Sequence, residues 1–305
     1  MKIDLEVLRT AGDVAGYAIA MNYQHAFHAG NHADVLKHVV LLAICDALTV
    51  KPAACFALDT HAGAGVYHLG GEQARRTGEA DGGIRLLQAS APRQPLVARY
   101  LAAVAACRAV HGADAYPGSP WLLAHALRDQ DRIACCETES AVAGALRHAV
   151  GADDRVSIHG SDGYAAMKAL LPPRHGAQRL NRGLVLIDPP YEAQIAEFDT
   201  AFYAMRDALA RWPQGIQMLW YPIKQRRTLT PFMRQAAKLQ TKATLVVELL
   251  VRADDSPLRM NGSGLLILDP PWQLATALAP ALEALRGAIG EAGTEPRLHW
   301  IREPA

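Results

Sequence analysis

Two stretches of this chain run four apolar residues straight into an aspartate and two prolines: Leu184-Val185-Leu186-Ile187 into Asp188-Pro189-Pro190-Tyr191, and Leu265-Leu266-Ile267-Leu268 into Asp269-Pro270-Pro271-Trp272. A short unbroken apolar run closed by turn-forming residues reads as a strand buried on both faces, as in a parallel sheet covered by helices on either side. In such an open sheet the residue after the strand reaches the crevice at the carboxyl end, where ligands bind. Asp188 is therefore a candidate site residue. Proline fixes its own φ and drives the preceding residue to an extended conformation, so Asp188-Pro189-Pro190 is a stiff segment. Its chemistry suits an aromatic amine. The Asp188 carboxylate and the Pro189 carbonyl accept the two hydrogens, the nitrogen is left to attack, and Tyr191 offers a flat face for stacking on a base. This implies methyl transfer to the exocyclic amino group of a nucleobase. A single site needs one such clamp, so one of the two copies serves only to end its strand.

The chain has 305 residues, half of them hydrophobic and a fifth charged, enough for a sizeable core in one elaborated domain. No apolar stretch is as long as a membrane span, and the first twenty residues carry Lys2, Asp4, Glu6, Arg9 and Asp13 where a signal peptide would be apolar. We expect a cytoplasmic protein. The five cysteines, Cys45, Cys55, Cys107, Cys135 and Cys136, form no CxxC pair and lie mostly in apolar runs, which implies reduced buried thiols. A net charge of +1 supplies no global attraction to nucleic acid. Local basic patches would have to do so, and the candidates are Arg174, His175, Arg179 and Arg182 in one loop and Lys224, Arg226 and Arg227 in another.

Strands alternate with helices along the chain, which predicts a doubly wound, mostly parallel sheet. Residues 1–20, ahead of Met21, stand apart as a short helical extension or an upstream start. Asn31 to Leu48 has the spacing of an amphipathic helix, with apolar Val35, Val39, Leu42 and Leu48, and Lys51-Pro52 ends it. Seven strands are predicted: Ala54 to Leu58, Arg132 to Cys136, Val156 to His159, Gly183 to Ile187, Ile216 to Tyr221, Ala243 to Leu250 and Gly264 to Leu268, the last ones antiparallel. A Gly-, Arg- and Ala-rich stretch at about 67–115 reads as a helical insertion without a good strand. Pro117-Gly118-Ser119-Pro120 opens the next helix, with Ser119 as N-cap and Pro120 at the first helical position.

The first strand ends in Asp59-Thr60-His61-Ala62-Gly63-Ala64-Gly65, whose small residues let the backbone approach a ligand closely. The loop matches neither the Gly-x-Gly-x-x-Gly fingerprint nor a P-loop, so it does not favour phosphate. Glu137 follows the second strand, where a carboxylate can accept both hydroxyls of a ribose. Asp162-Gly163 follows the third, placed for an adenine edge. Four carboxylates in strand-end register, Asp59, Glu137, Asp162 and Asp188, point to S-adenosylmethionine. A rival reading comes from the histidines of Tyr23-Gln24-His25-Ala26-Phe27-His28-Ala29-Gly30-Asn31-His32: His28 and His32, with Asp34 nearby, have the spacing of a metal-dependent hydrolase. No Glu stands beside the first histidine and no third ligand is evident, which favours capping and polar packing.

Four blocks taken together, Tyr23 to His38, Leu58 to Gly65, Tyr116 to Pro120 and Leu186 to Glu192, resemble the RlmJ family of 23S ribosomal RNA adenine-N6 methyltransferases, and the likeness runs from about Tyr23 to the C-terminus. The Tyr23 to His38 block is its most specific part, since Asp-Pro-Pro-Tyr is shared by many amino-methyltransferases. The resemblance implies a Rossmann-like class I methyltransferase: residues 21–305 form the domain, with a small helical insertion, after an extension over 1–20. It implies S-adenosylmethionine as cofactor and 23S ribosomal RNA, methylated before full ribosome assembly, as partner of a monomeric protein without metal or membrane. By matching motif, Lys37, His38, His61, Ser119, Glu137, Asp162, Gly163 and Asp188 would contact the cofactor. Asp188 would be the catalytic acceptor, and Tyr23 would contact the RNA. The family order of elements puts catalysis on the fourth strand and leaves Asp269-Pro270-Pro271-Trp272 to close the seventh. The departures are the extra residues 1–20 and a longer loop before Asp188. A DNA adenine methyltransferase would share the cofactor motifs, but no second domain to read duplex DNA is evident. A noncatalytic RNA-binding factor would be expected to lose Asp188 or the Gly63-Ala64-Gly65 loop, and both are intact.

Overall fold

The protein is described by a computed structural model over residues 25–191, 195–257 and 260–304. The expectations for residues 1–20 and for Tyr23 fall outside the described residues. The sheet consists of β1 (Phe56–Asp59), β2 (Arg132–Cys136), β3 (Val156–His159), β4 (Gly183–Ile187), β5 (Ile216–Ile223), β6 (Thr244–Leu250), β7 (Gly262–Leu268) and β8 (Arg297–Arg302). Side chains alternate between the faces of a strand. Ala57, Leu184 and Leu186 enter one core, and Phe56, Leu58, Val185 and Ile187 the other. A sheet apolar on both faces needs cover on both, and the helices between the strands supply it. The order across the sheet is β3-β2-β1-β4-β5-β7-β6-β8. The strands β3 to β5 pair in parallel, β7 runs antiparallel to β5 and β6, and β8 is antiparallel to β6.

One face is covered by α1 (His32–Thr49), and the excursion between β1 and β2 packs over it. That excursion holds α2 (Glu72–Thr77), α3 (Ile84–Ser90) and α4 (Pro95–His111), and is closed at its base by the antiparallel strands Val66–His68 and Ala115–Pro117. Then follow α5 (Ser119–Ala126), α6 (Ser140–Val150), α7 (Gly163–Leu170), α8 (Ile195–Arg211), α9 (Thr230–Ala236) and α10 (Leu274–Ile289). α5, α6 and α10 pack on the face of α1, while α7, α8 and α9 cover the other face. Asn31 starts α1 by accepting the amides of Ala33 and Asp34, both at 3.0 Å. α1 does not have the polar, solvent-facing side that an amphipathic helix implies. Every residue from His32 to Cys45 is buried, because the sheet lies beneath the helix and α4, α5 and α10 flank it. The helix therefore takes polar side chains into the interior.

The eighth strand escapes the sequence reading because Arg297-Leu298-His299-Trp300-Ile301-Arg302 is an edge strand. Its polar residues lie on the open side and only Leu298, Trp300 and Ile301 pack on the cores. The two Asp-Pro-Pro copies part company here. β4 ends at the carboxyl edge of the parallel strands, but β7 runs the other way, with Leu268 beside Gln217 near the start of β5. Asp269 thus leaves the sheet at the far edge, where its Oδ1 accepts the amides of Lys242 (2.7 Å) and Ala243 (3.1 Å). The basic loops separate in the same way. Arg182 precedes β4 and donates to the carbonyls of Leu48 and Ala53, and Arg132 reaches His175, so this cluster ties together the amino edge, away from the crevice. Lys224, Arg226 and Arg227 follow the carboxyl end of β5. Arg226 is committed to Glu248 at 2.8 Å, while Lys224 and Arg227 are exposed.

Asp269→Ala removes two hydrogen bonds at a turn remote from the crevice. Chemical denaturation should show a loss of about 1–2 kcal/mol, the usual result of leaving amide donors uncapped.

Candidate active site

Strand order reverses at β1, with β2 on one side and β4 on the other, and the crevice opens at the carboxyl ends of β1 and β4. Thr60 seals the bottom, its amide and hydroxyl both donating to the Leu186 carbonyl at 3.0 Å. Above lies a cavity of about 1250 Å³ whose wall includes Lys37, His38, His61, Gly63, Ser119, Glu137, Asp162, Gly163 and Asp188. That volume is larger than the roughly 300–1,000 Å³ of a single-ligand pocket. It leaves room for a cofactor and part of a second substrate.

The loop after β1 needs its glycines. Gly63 and Gly65 have φ of 63° and 77°, a region that residues with a Cβ rarely adopt. The turn aims the Gly63 amide at Glu137 Oε2 (3.0 Å), while Oε1 accepts the Glu139 amide at 2.8 Å. Each carboxylate oxygen has two lone pairs, so Glu137 retains capacity for two further donors such as ribose hydroxyls. Gly163 is required by closeness: a Cβ there would stand 2.0 Å from the Thr60 carbonyl oxygen. Asp162 caps α7 by accepting the Ala165 amide at 2.7 Å. His61 hydrogen-bonds the Thr60 hydroxyl at 2.8 Å and sets its ring edge-on to Tyr164, and burial takes its pKa down to about 4, so it is neutral.

Two residues depart from their expected places. Ser119 is the first residue of α5 rather than its N-cap, which is Gly118. Its hydroxyl faces the cavity wall and the Asp59 carboxylate instead. Asp59 lies beneath the loop, fully buried and outside the cavity wall, with Oδ1 on the His61 amide at 3.3 Å. Burial pushes its pKa up to about 6 against the pull of Ser119.

The floor of the site is charged. Lys37, buried in α1, donates to Asp34 Oδ1 at 2.8 Å and to Asp188 Oδ2 at 2.6 Å. Asp34 Oδ2 takes the Gly30 amide at 2.9 Å and lies 3.1 Å from His25 Nε2. Burial opposes the charge on Lys37, but the two carboxylates outweigh it and hold its pKa well above the ordinary lysine value. Burial likewise opposes ionisation of Asp34, yet Lys37 and His25 hold it well below the usual carboxylate range. Lysine has three donors and two are spent on carboxylates. The expected cofactor contact of Lys37 is therefore left to its third N–H, while the observed geometry makes it the clamp of Asp188. An Asp and a Lys three apart at the start of the mainly apolar α1 are the sequence signal that could have found this array.

Asp188 is 14% exposed at the cavity, Pro189 is buried behind it, and Pro190 lines the wall. Tyr191 adopts φ of 53°, a left-handed conformation that is costly for a bulky residue. It is held there by its hydroxyl bond to the Trp220 carbonyl (2.8 Å) and by packing against Phe198 and Trp220. The ring is only 7% exposed. This corrects the expectation of a base-stacking face: the reversed turn after two prolines sends Tyr191 into the core, where it anchors the segment that carries Asp188. The histidines of the rival reading are also dispersed. His28 Nδ1 lies 2.8 Å from Glu79 of the insertion, His32 is buried, and Asp34 is engaged by Lys37. Among the described residues no group of three or more His, Cys, Asp or Glu is placed to hold a metal.

Asp34→Asn leaves Lys37 with one carboxylate and should cost about 3–5 kcal/mol, the range for breaking a buried pair. The pH dependence has a definite sign. Asp34 has a depressed folded pKa, so its contribution is complete above the unfolded value of about 4 and disappears as pH falls through the folded one. The Lys37 contribution is complete below about 10.4 and is lost as pH rises through its elevated folded value. Denaturation of wild type and variant should therefore give a difference that is full near neutral pH and shrinks both in strong acid and in strong alkali.

Comparison with known proteins matches this architecture to a family. Residues 52–302 match the family model described as "RsmJ: Ribosomal RNA large subunit methyltransferase D, RlmJ". The chain is 35% identical over 285 residues to "Ribosomal RNA large subunit methyltransferase J" of Haemophilus influenzae, covering 92% of this chain and 99% of that protein. It is 34% identical over 282 residues to the protein of the same name from Escherichia coli K12, with the same coverage. A crystal structure of a Legionella pneumophila protein superposes with a TM-score of 0.79 at 29% identity, covering 89% of this chain and 98% of that one. A model spanning most of the chain and relatives matched over nearly their whole length place this protein in the RlmJ family of ribosomal RNA large subunit methyltransferases.

Proposed function

We propose that this protein transfers a methyl group from S-adenosylmethionine to N6 of an adenine in 23S ribosomal RNA, acting on free RNA or an early assembly intermediate in the cytoplasm. The observation that carries this reading is Asp188, held by Lys37 at 2.6 Å on the wall of a cavity large enough for both reactants. Several features fit the cofactor. Glycine is required where the chain approaches most closely, at Gly63 and Gly163. The Glu137 carboxylate keeps free lone pairs for a ribose, and Asp162 keeps one oxygen for an adenine amino group. His38 lines the wall with a buried ring nitrogen, Nε2, that has no partner among the described residues. Tyr23 is proposed to contact the RNA.

S-adenosylmethionine supplies a methyl group already activated by its positive sulfur. The protein's work is positioning. Asp188 and the Pro189 carbonyl accept the two hydrogens of the adenine amine, turning its lone pair toward the methyl group, and the N–C bond forms as the S–C bond breaks. The extra proton on nitrogen then passes to Asp188 or to water. Lys37 keeps Asp188 in its acceptor orientation, and Tyr191 holds the backbone of the clamp from below. The base must leave its stack to enter the crevice, which favours a single-stranded or irregular RNA element. Lys224 and Arg227, exposed at the same edge of the sheet, are suited to its phosphates.

The test is incubation of purified protein and S-adenosylmethionine with protein-free 23S RNA lacking the modification, or with duplex DNA, followed by quantification of N6-methyladenosine in the digest. We expect a gain with the RNA only, reduced at least about 100-fold in Asp188→Ala. Near-normal turnover in that variant would overturn the assignment of Asp188, and a gain on DNA alone would overturn the substrate.

A further inference from the structure

Charge is divided unevenly along the chain. Residues 163–242 hold twelve Lys and Arg against five Asp and Glu, a net of +7, whereas the whole chain is +1 and the remainder is therefore −6. This stretch supplies α7, α8 and α9, the helices that cover one face of the sheet. Its described carboxylates are already engaged: Asp188 by Lys37, Glu197 by the Tyr164 hydroxyl at 2.7 Å, Asp199 by the Gln235 side chain at 3.2 Å and Asp207 by Arg206 at 3.2 Å. Arg211, Arg227, Arg234 and Lys238 are exposed and form no ion pair among the described residues. A local field of this sign attracts a polyanion even when the molecule as a whole is nearly neutral.

The cations form a track that starts at the crevice. Glu197 and Thr200, in the first turns of α8, line the cavity wall. Residues 199, 203 and 206 share one side of that helix. Tyr203 is 52% exposed there, and the Arg206 guanidinium sits over its ring, 5.0 Å from the centroid. At 1.5 Å per residue, Arg206 lies about 9 Å beyond Thr200 along the axis and Arg211 about 17 Å. α9 lies alongside, joined by the bond from Gln235 to Asp199 and by Phe232 packed on Phe198, and brings Arg234 and, just past its end, Lys238. Exposed cations around an exposed flat ring suit single-stranded nucleic acid, whose phosphates pair with the cations while a base stacks on the ring. The insertion over α1 is less suited, since Arg85 is paired with Asp81 at 2.6 Å, Arg99 with Asp46 at 3.6 Å, and Arg108 donates to the Ala115 carbonyl. We propose that the α8–α9 face holds the RNA strand flanking the target adenine, with Arg206, Arg211, Arg234 and Lys238 on its phosphates and Tyr203 stacked on a base outside the crevice.

The inference rests on the RNA reading above, and the test keeps the two failures apart. Transfer to protein-free 23S RNA, RNA affinity at several salt concentrations and calorimetric affinity for S-adenosylhomocysteine would be measured for two triple variants. One is Arg206→Gln/Arg234→Gln/Lys238→Gln; the control, Arg75→Gln/Arg85→Gln/Arg93→Gln, removes the same charge from the insertion. We expect the first to raise KM for RNA at least about tenfold, with kcat and cofactor affinity changed less than about twofold, and to lower the slope of log affinity against log salt by about two. The control should leave all four quantities unchanged. Tyr203→Ala should raise KM at least about fivefold and Tyr203→Phe should restore it, since the stacking face is kept. With wild-type transfer intact, an unchanged KM in the first variant, or an equal rise in the control, would overturn the proposal. A loss confined to partly assembled particles, with protein-free RNA unaffected, would overturn it in favour of a protein partner. Absence of wild-type transfer to 23S RNA, with S-adenosylhomocysteine still bound, would overturn the RNA reading itself and the proposal with it.

Discussion

The site depends on a buried ammonium group shared by two carboxylates. Lys37 reaches Asp34 within its own helix and Asp188 across the crevice, a sequence separation of 151 residues. No member of this set is tolerable alone in the interior. Without Lys37, the buried Asp34 would be left with His25 and the Gly30 amide alone; without the carboxylates, Lys37 would be driven toward its neutral form. The array therefore ties the position of α1 to the end of β4. It explains why a helix buried on all sides carries charged residues in its first two turns.

The surrounding fold makes this tie possible. The reversal of strand order at β1 opens a crevice beside Asp188, and the excursion between β1 and β2 folds back over α1, excluding water from its polar residues. The excursion also supplies Glu79, which lies 2.8 Å from His28 and accepts from Asn31 at 2.9 Å, pinning the segment that leads into α1. Local strain at Tyr191 is offset by its packing and its bond to Trp220, so the short segment after β4 is anchored at both ends: Asp188 by Lys37, Tyr191 by the core.

Much of this was legible in the sequence for identifiable reasons. Apolar runs of four or five residues marked β4 and β7, and the small residues after β1 marked the turn where Gly63 and Gly65 take positive φ. The choice between the two Asp-Pro-Pro copies was not local information. It depends on strand direction, which is set by the pairing of β7 with β5. The edge strand β8 and the strands at the base of the excursion were missed because short or half-exposed strands lack a continuous apolar run. Tyr191 suggested a stacking face by residue type, and its burial follows from a backbone turn that residue type does not reveal. The pairing of Lys37 with Asp188 is a long-range contact that the spacing of neither motif predicts.

The most direct test of this account separates methyl transfer from cofactor binding in Lys37→Met, which keeps an unbranched side chain one atom shorter and removes its charge. Single-turnover transfer to 23S RNA and calorimetric affinity for S-adenosylmethionine would be measured on the same folded protein. The account predicts a transfer rate at least about 100-fold lower with affinity changed less than about threefold, because Lys37 acts chiefly by holding Asp188. A near-normal rate, or a loss confined to affinity, would contradict it.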